Sequence, residues 1–268
     1  MLTAMTAPTR AVRSGWQLPD LPRAVAPVPS VDRETMLEAD RIATDQLNLG
    51  LLQMMENAGR ELAELTRLAL GGSVTGRHMV VLAGTGNNAG GGLVAARRLA
   101  GWGAAVCVAF ARPILRLRPG PCAQLEPLLA AGAQTAVAGH DRPYADLAGE
   151  ILRADAVIDA LIGYSLRGAP VGAYDTLISM AALGGGPVLS LDVPSGIDAS
   201  SGARPGAAVT ADITLALALP KRGTEIGEGR RHSGARYLAD IGIPRSVFVG
   251  LGIAGVPTFA HGPLLRLE

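Results

Sequence analysis

Three polar stretches of this chain carry side chains able to bind ligands and move protons, and each directly follows an apolar run. In the first, Gly84 to Gly92 (GTGNNAGGG), five glycines free the backbone for close approach to a ligand, while Asn87 and Asn88 add carbonyl oxygens and amide donors. A helix opening there would present unpaired N–H groups suited to a phosphate, and a simple strand-to-helix turn would need fewer glycines. The second stretch, DALIGYSLRGAP, sets Asp159 at the end of an apolar run and then offers Gly163, Ser165, Arg167 and Gly168. A carboxylate buried at such a place requires a donor or a cation. Arg167 is either a phosphate ligand or a solvated surface charge. In the third stretch, LDVPSGIDASSG, Asp192 and Ser195 flank the rigid Pro194, and Gly196 allows a turn that aims both side chains into one crevice. Asp192 is the preferred acid–base group. Asp198 reads equally well as an Asx turn and is kept out of the catalytic set.

Several chemistries are disfavoured by what is missing. The run after the first stretch, AAVCVAF, ends in Ala111 and Arg112, where a dinucleotide fingerprint would place an acidic residue for the ribose hydroxyls. No Gly-Lys-Ser or Gly-Lys-Thr follows the glycines, so the lysine and hydroxyl of a nucleoside-triphosphate loop are lacking. Cys107 and Cys122 make neither a CxxC metal pair nor a disulfide framework. His78, His140, His232 and His261 all lie outside the three stretches, and no catalytic triad assembles. A nucleotide-dependent transferase or oxidoreductase with Lys221 near its site is the least favoured reading.

The elements that must position these groups follow from hydrophobic periodicity. Ser30 can cap a helix from about Val31, with Met36, Ala39, Ile42, Ala43 and Leu47 on one face, ended by Gly50. A second amphipathic helix is expected from Leu51 to Leu70 with the stripe Met54, Met55, Ala58, Leu62, Leu65 and Leu68, stopped by Gly71 and Gly72. Strands are expected at VVLAG, AAVCVAF, QTAVA, AVIDAL, VLSLDV and ITLALAL, with YLADIGI closing the sheet. Helices are expected near Gly91–Ala100, Cys122–Ala131, Pro143–Ala154 and Tyr174–Ala182. The alternation implies an α/β fold, a three-layer Rossmann-like sandwich with a mostly parallel sheet, helices on both faces and two N-terminal helices. Ligands of such sheets bind outside the carboxyl ends of the strands, where all three stretches fall.

A proline-rich irregular arm (1–30), one domain (31–250) and a C-terminal tail (251–268) complete the expected organisation. With 49% apolar and 18% charged residues the chain has the composition of a globular protein. Its 24 basic and 23 acidic residues leave a net charge of +1 and no footprint for nucleic acid. No apolar run reaches the ~18 residues of a membrane span, and no leader is expected, so a cytoplasmic setting fits. Met54 and Met55 are candidates for a homodimer face, although such a stripe is more often core.

Together LLQMMENAGR (51–60), GTGNNAGGGLVAARRLA (84–100), VIDALIG (157–163), LSLDVPSGIDASSG (189–202) and ADITLALALPKRG (211–223) resemble the YjeF N-terminal family. The resemblance implies an isomerase, an NAD(P)H-hydrate epimerase interconverting the R and S forms of NADHX or NADPHX, nicotinamide cofactors hydroxylated at C6. It implies that the cofactor-hydrate substrate contacts Asn87, Asn88, Ala89, Gly90, Gly91, Gly163, Tyr164, Ser165, Leu166, Arg167, Gly168, Ala169 and Asp192. It further implies a potassium ion held by Asn88, Asp159 and Ser195; an amide carbonyl, a carboxylate and a hydroxyl are ligands a hard cation accepts. The usual family motif GNNGGDG here has Ala89 for a glycine and Gly91 for the aspartate, and the usual GTGL reads Gly163-Tyr164-Ser165-Leu166. The alternative is a non-catalytic module of the same fold that senses a nucleotide or binds a protein.

Overall fold

The structure, a computed structural model, describes residues 15–268. Residues 1–14 of the expected arm, Pro8 among them, lie outside the described residues.

Helix α1 (Arg33–Arg41) begins two residues later than expected: Asp32, not Ser30, is the cap and accepts the backbone N–H of Thr35 at 2.9 Å and its hydroxyl at 2.7 Å. A carboxylate at an N-cap also meets the positive end of the helix dipole. The helix widens into a π-turn over Ile42–Gln46, and Asn48, at φ 53°, ends it before Gly50. Helix α2 (Leu51–Ala69) buries Met54, Met55, Ala58, Leu62 and Leu65 of its expected stripe, while Leu68, in its last turn, is only half-buried. The two methionines are therefore interior, 5% and 4% exposed, and form no exposed dimer face.

The remaining strands are β1 (His78–Ala83), β2 (Ala105–Phe110), β3 (Gln134–Val137), β4 (Ala156–Ala160), β5 (Val188–Leu191), β6 (Ile213–Leu217), β7 (Ala235–Ala239) and β8 (Leu264–Arg266). Between and after them run α3 (Asn87–Gly101), α4 (Pro119–Ala123), α5 (Leu125–Ala130), α6 (Tyr144–Arg153), α7 (Ala173–Met180), α8 (Gly227–His232) and α9 (Arg245–Gly250). The sheet order is β3-β2-β1-β4-β5-β6-β7-β8, parallel except for the antiparallel β7–β8 pair. The order reverses direction between β1 and β4, which pair from Met79↔Ala156 to Ala83↔Ala160. The carboxyl ends of those two strands flank the topological switch point. Apolar clusters pack on both faces of the sheet, the larger against α2 and α3, the other against α6 and α7.

Three expectations change in detail. Helix α3 starts at Asn87, four residues early, so the glycine stretch is mostly helix. Glycine is a poor helix former, and packing compensates: a Cβ on Gly92 would fall 2.4 Å from Ala160 Cβ, and one on Gly90 2.5 Å from Met55 Sδ. The helix expected over 122–131 divides at Gln124, because the ring of Pro127 opposes the carbonyl four residues earlier. The strand expected to close the sheet, β7, is followed by β8, contributed by the stretch read as tail. The arm covers that edge: Arg266 N donates to Pro22 O (2.8 Å), Ala24 N to Arg266 O (3.1 Å) and the Tyr237 hydroxyl to Pro19 O (2.8 Å). Unpaired edge groups are thereby satisfied. No helix among the described residues is long and apolar enough to cross a membrane.

Candidate active site

At the switch point a cavity of about 200 Å³ opens between α1, α2 and the carboxyl ends of the strands. Its wall includes Asn87, Asn88 and Gly91 from α3, Gly163, Tyr164 and Ser165 after β4, and Asp192 after β5. It also includes Asp40 of α1, Met54 and Met55 of α2, Arg118 and Lys221.

Two strand ends bring opposite charges together. Asp192 follows β5 directly and adopts φ +70°, a left-handed conformation that a short polar side chain tolerates at modest cost. Its N–H donates to Leu215 O at 2.7 Å, fixing the turn to β6. At the end of β6 the chain makes the same kind of break at Ala218, φ +63°, and Lys221 turns back so that its ammonium donates to Leu217 O (2.8 Å) and Leu219 O (3.2 Å). Lys221 Nζ thus lies 2.5 Å from Asp192 Oδ1, with the two side chains 1% and 2% exposed. A buried carboxylate is costly unless paired, and this ammonium supplies the pair.

Tyr164 joins this pair to α1. Its backbone N–H donates to Asp192 Oδ2 (3.2 Å), its hydroxyl donates to Asp40 Oδ2 (2.5 Å), and its ring centroid lies 5.7 Å from Lys221 Nζ, a cation–π distance. Burial raises the Tyr164 phenol well above its ordinary value, and the Asp40 charge adds to the shift, so the hydroxyl remains a donor. Burial also raises the Asp40 carboxyl, against the opposing pull of the Tyr164 hydrogen bond and of Lys221. Gly163 packs tightly against both side chains: a Cβ there would fall 3.1 Å from Asn88 Oδ1 and 3.3 Å from Asp192 Oδ2, so either neighbour would have to give by a few tenths of an ångström.

Asp159 and Ser195 lie beneath this wall. Asp159 is fully buried and accepts four neutral donors: the Ser195 hydroxyl (2.5 Å) and N–H (2.9 Å), the Ser190 hydroxyl (2.8 Å) and the Leu161 N–H (3.2 Å). Burial raises its pKa despite these bonds. The network ties the second and third stretches together, since Ser195 Oγ also accepts from Ile162 N (2.9 Å) and reaches Ile162 O (3.2 Å). Among the described residues no group of three His, Cys, Asp or Glu could hold a metal. The donor set nevertheless suits a hard cation, because it is all oxygen and the buried charge faces neutral donors alone. Turning the Ser195 hydroxyl towards Ile162 O would free a lone pair on Asp159 Oδ1 and redirect the one on Ser195 Oγ that Ile162 N does not use. Asn88 Nδ2 is buried without a hydrogen-bond partner, which leaves that amide undercommitted within the protein.

The match to known proteins accords with this geometry. Residues 51–223 match the family model described as YjeF-related protein N-terminus. The chain belongs to that family. The NAD(P)H-hydrate epimerase of Dehalogenimonas lykanthroporepellens is 45% identical over 234 residues, 87% of this chain and 90% of the relative. The bifunctional NAD(P)H-hydrate repair enzyme Nnr of Hyperthermus butylicus is 41% identical over 75% of this chain, which spans 36% of that longer protein. The crystal structure of yeast ynu0 shares the fold with a TM-score of 0.75 and 22% identity, over 90% of this chain and all of the yeast chain.

Of the site residues expected for a YjeF-related chain, the cavity gathers Asn87, Asn88, Gly91, Gly163, Tyr164, Ser165 and Asp192. Ala89 and Gly90 are buried in the first turn of α3, Gly90 against Met55, and Leu166 is buried beside the cavity rather than in its wall. Arg167, Gly168 and Ala169 are exposed and lie outside the wall. Asp198 makes an Asx turn, accepting from Ser200 N and Ser201 N at 3.1 and 2.8 Å. Sequence reasoning missed Asp40 and Arg118, and left Lys221 only to the least favoured reading. Asp40 sits one residue after buried Ala39, and a carboxylate at the edge of an apolar helical stripe was the available signal. Gly91 borders the cavity, and a Cβ there would lie 2.9 Å from Leu191 Cδ2, the end of a flexible side chain.

Proposed function

We propose that this chain is an isomerase that interconverts the R and S forms of NADHX or NADPHX, with Asp192 as an acid–base group. The observation that carries the reading is the buried Asp192–Lys221 pair, which faces a cavity at the switch point of the sheet. Epimerisation at C6 requires the hydroxyl to leave and return, or the ring to open and close, and either path needs a proton moved by a group within hydrogen-bond reach. Lys221 holds the Asp192 carboxylate in place and offsets its charge, while the Tyr164 N–H orients the second oxygen.

The nicotinamide end of the substrate occupies the cavity, and the remainder runs along the rim formed by the first turn of α3 and by Leu166–Ala169. Arg118 is exposed, lines the cavity and has no ion-pair partner among the described residues; its backbone N–H is tied to Thr85 O at 3.1 Å. It is a cation available to the substrate phosphates, alongside Arg167. Asn88, Asp159 and Ser195 would hold a potassium ion, which when bound supplies positive charge opposite the buried Asp159. The setting we propose is cytoplasmic.

A non-catalytic binding module is the competing reading, and it rests on Gly91 in place of the family's aspartate. A scaffold has no need of a strained, ion-paired aspartate in a cavity wall. The deciding experiment follows R-to-S exchange of purified NADHX and NADPHX by chromatography, with and without potassium, against a protein-free blank. Exchange well above the blank is expected; no acceleration by folded protein would refute the assignment.

A further inference from the structure

The cavity holds a second carboxylate that the single-base scheme leaves idle. Asp40, on α1, an element distant in sequence from the strand ends, lines the same cavity as Asp192. The two are joined through one residue: Tyr164 donates its main-chain N–H to Asp192 and its hydroxyl to Asp40. They therefore sit at the two ends of a tyrosine, with open cavity beside it. Their surroundings differ. Asp192 has an ammonium at 2.5 Å, whereas Asp40 has a neutral hydroxyl.

Inversion at a ring carbon is a two-sided problem. If the hydroxyl leaves from one face and water returns to the other, one group must protonate the departing oxygen and another must deprotonate the incoming water. Paired carboxylates in unlike environments divide such work in glycoside hydrolysis, where one is protonated and the other ionised.

We propose that Asp40 is the second acid–base group of the reaction, acting on the ring face opposite to Asp192. The inference rests on the epimerase reading. Protonated Asp40 gives its proton to the C6 hydroxyl, and the C6–O bond breaks with its electron pair leaving on oxygen as water. The N1 lone pair forms the N1=C6 bond. A water then attacks C6 from the other face, its proton passes to Asp192, and the N1=C6 pair returns to nitrogen. Nothing is oxidised or reduced. The proton carried from one aspartate to the other returns through solvent, and the opposite epimer reacts with the roles exchanged. Burial of Asp40, which favours its protonated form, is consistent with the acid role.

The test compares Asp40→Asn with Tyr164→Phe in R-to-S exchange of NADPHX, after the parent protein has been shown to accelerate it. Asn keeps an acceptor for the Tyr164 hydroxyl but carries no transferable acid proton; Phe removes that hydroxyl and leaves the Asp40 carboxylate. We expect Asp40→Asn to lower kcat by about 100-fold or more, the usual worth of a general acid or base, with KM changed only a few-fold. Tyr164→Phe should lower kcat much less. Exchange run in ¹⁸O-labelled water should place label at C6 at the rate of epimerisation. Equal losses in the two variants would mean that Asp40 only holds the tyrosine, and a near-parental kcat in a folded Asp40→Asn would also overturn the proposal. Epimerisation without label would do the same. An inactive parent would instead remove the epimerase reading itself, and this inference with it.

Discussion

Replacing Lys221 by methionine keeps most of the side-chain volume and removes the ammonium that lies 2.5 Å from Asp192. The carboxylate is then buried without its cation, and breaking one side of a buried ion pair costs about 3–5 kcal/mol. Leu217 O and Leu219 O also lose a donor, at about 1 kcal/mol each if no water replaces it. The expected loss is therefore about 5–7 kcal/mol, a large share of the ~5–15 kcal/mol by which a domain is stable. Urea unfolding of Lys221→Met, Asp192→Asn and the double variant separates pairing from packing. The double variant has neither buried charge, so adding Asp192→Asn to Lys221→Met should restore about 3 kcal/mol. Additivity of the two single losses within about 0.5 kcal/mol would refute the pairing, since that is how independent sites behave.

Three further outcomes follow from the packing and charges. Gly59→Ala would set a Cβ 2.5 Å from Gly91 O and 2.4 Å from Val94 Cβ, forcing α2 and α3 apart; a loss of about 1–3 kcal/mol in unfolding free energy is expected, whereas Gly101→Ala, with nothing within 4 Å, should gain up to about 1 kcal/mol. Burial raises the Glu61 carboxyl above its ordinary 4.5, only partly offset by Arg60, so the folded state binds this proton more tightly than the unfolded chain. Stability should then fall as pH rises from about that ordinary value through the raised one and level off above it, and Glu61→Gln should flatten this slope in unfolding measured from pH 4 to 8. Arg118→Ala should raise KM for the hydrated cofactor several-fold and leave kcat within about two-fold, because a rim contact to phosphate binds ground and transition states alike; a fall in kcat at unchanged KM would contradict that placement.

The architecture and the three stretches were legible in the sequence because strand periodicity and clustered glycines are local signals. The α3 start was not, since glycines that discourage a helix locally are what let α3 approach Ala160 and Met55. The pairing of Asp192 with Lys221 depends on left-handed residues at two strand ends, at Asp192 and Ala218, and alanine gives no warning of such a conformation. Asp40 was hidden for another reason: contact between α1 and Tyr164 spans 124 positions, and no spacing rule reaches that far. The stripe of α2 was read correctly as apolar, but whether Met54 and Met55 met a core or a partner could be decided only by what packs on them.

The two departures from the usual family pattern differ in kind. Gly91 removes a carboxylate from the wall and leaves the space to Leu191, so the cavity there is apolar. Neither group proposed to move protons comes from that position: Asp192 follows β5 and Asp40 belongs to α1. Tyr164, by contrast, adds contacts in the proposed chemistry, because a shorter side chain could not reach from the Asp192 carboxylate to Asp40. Restoring the aspartate with Gly91→Asp would set its Cβ 2.9 Å from Leu191 Cδ2, so that flexible side chain must shift, and it adds a third carboxylate to a wall whose ammonium is already paired. On this reading the substitution at 91 reshapes the wall that meets the substrate, while the acid–base groups stay intact.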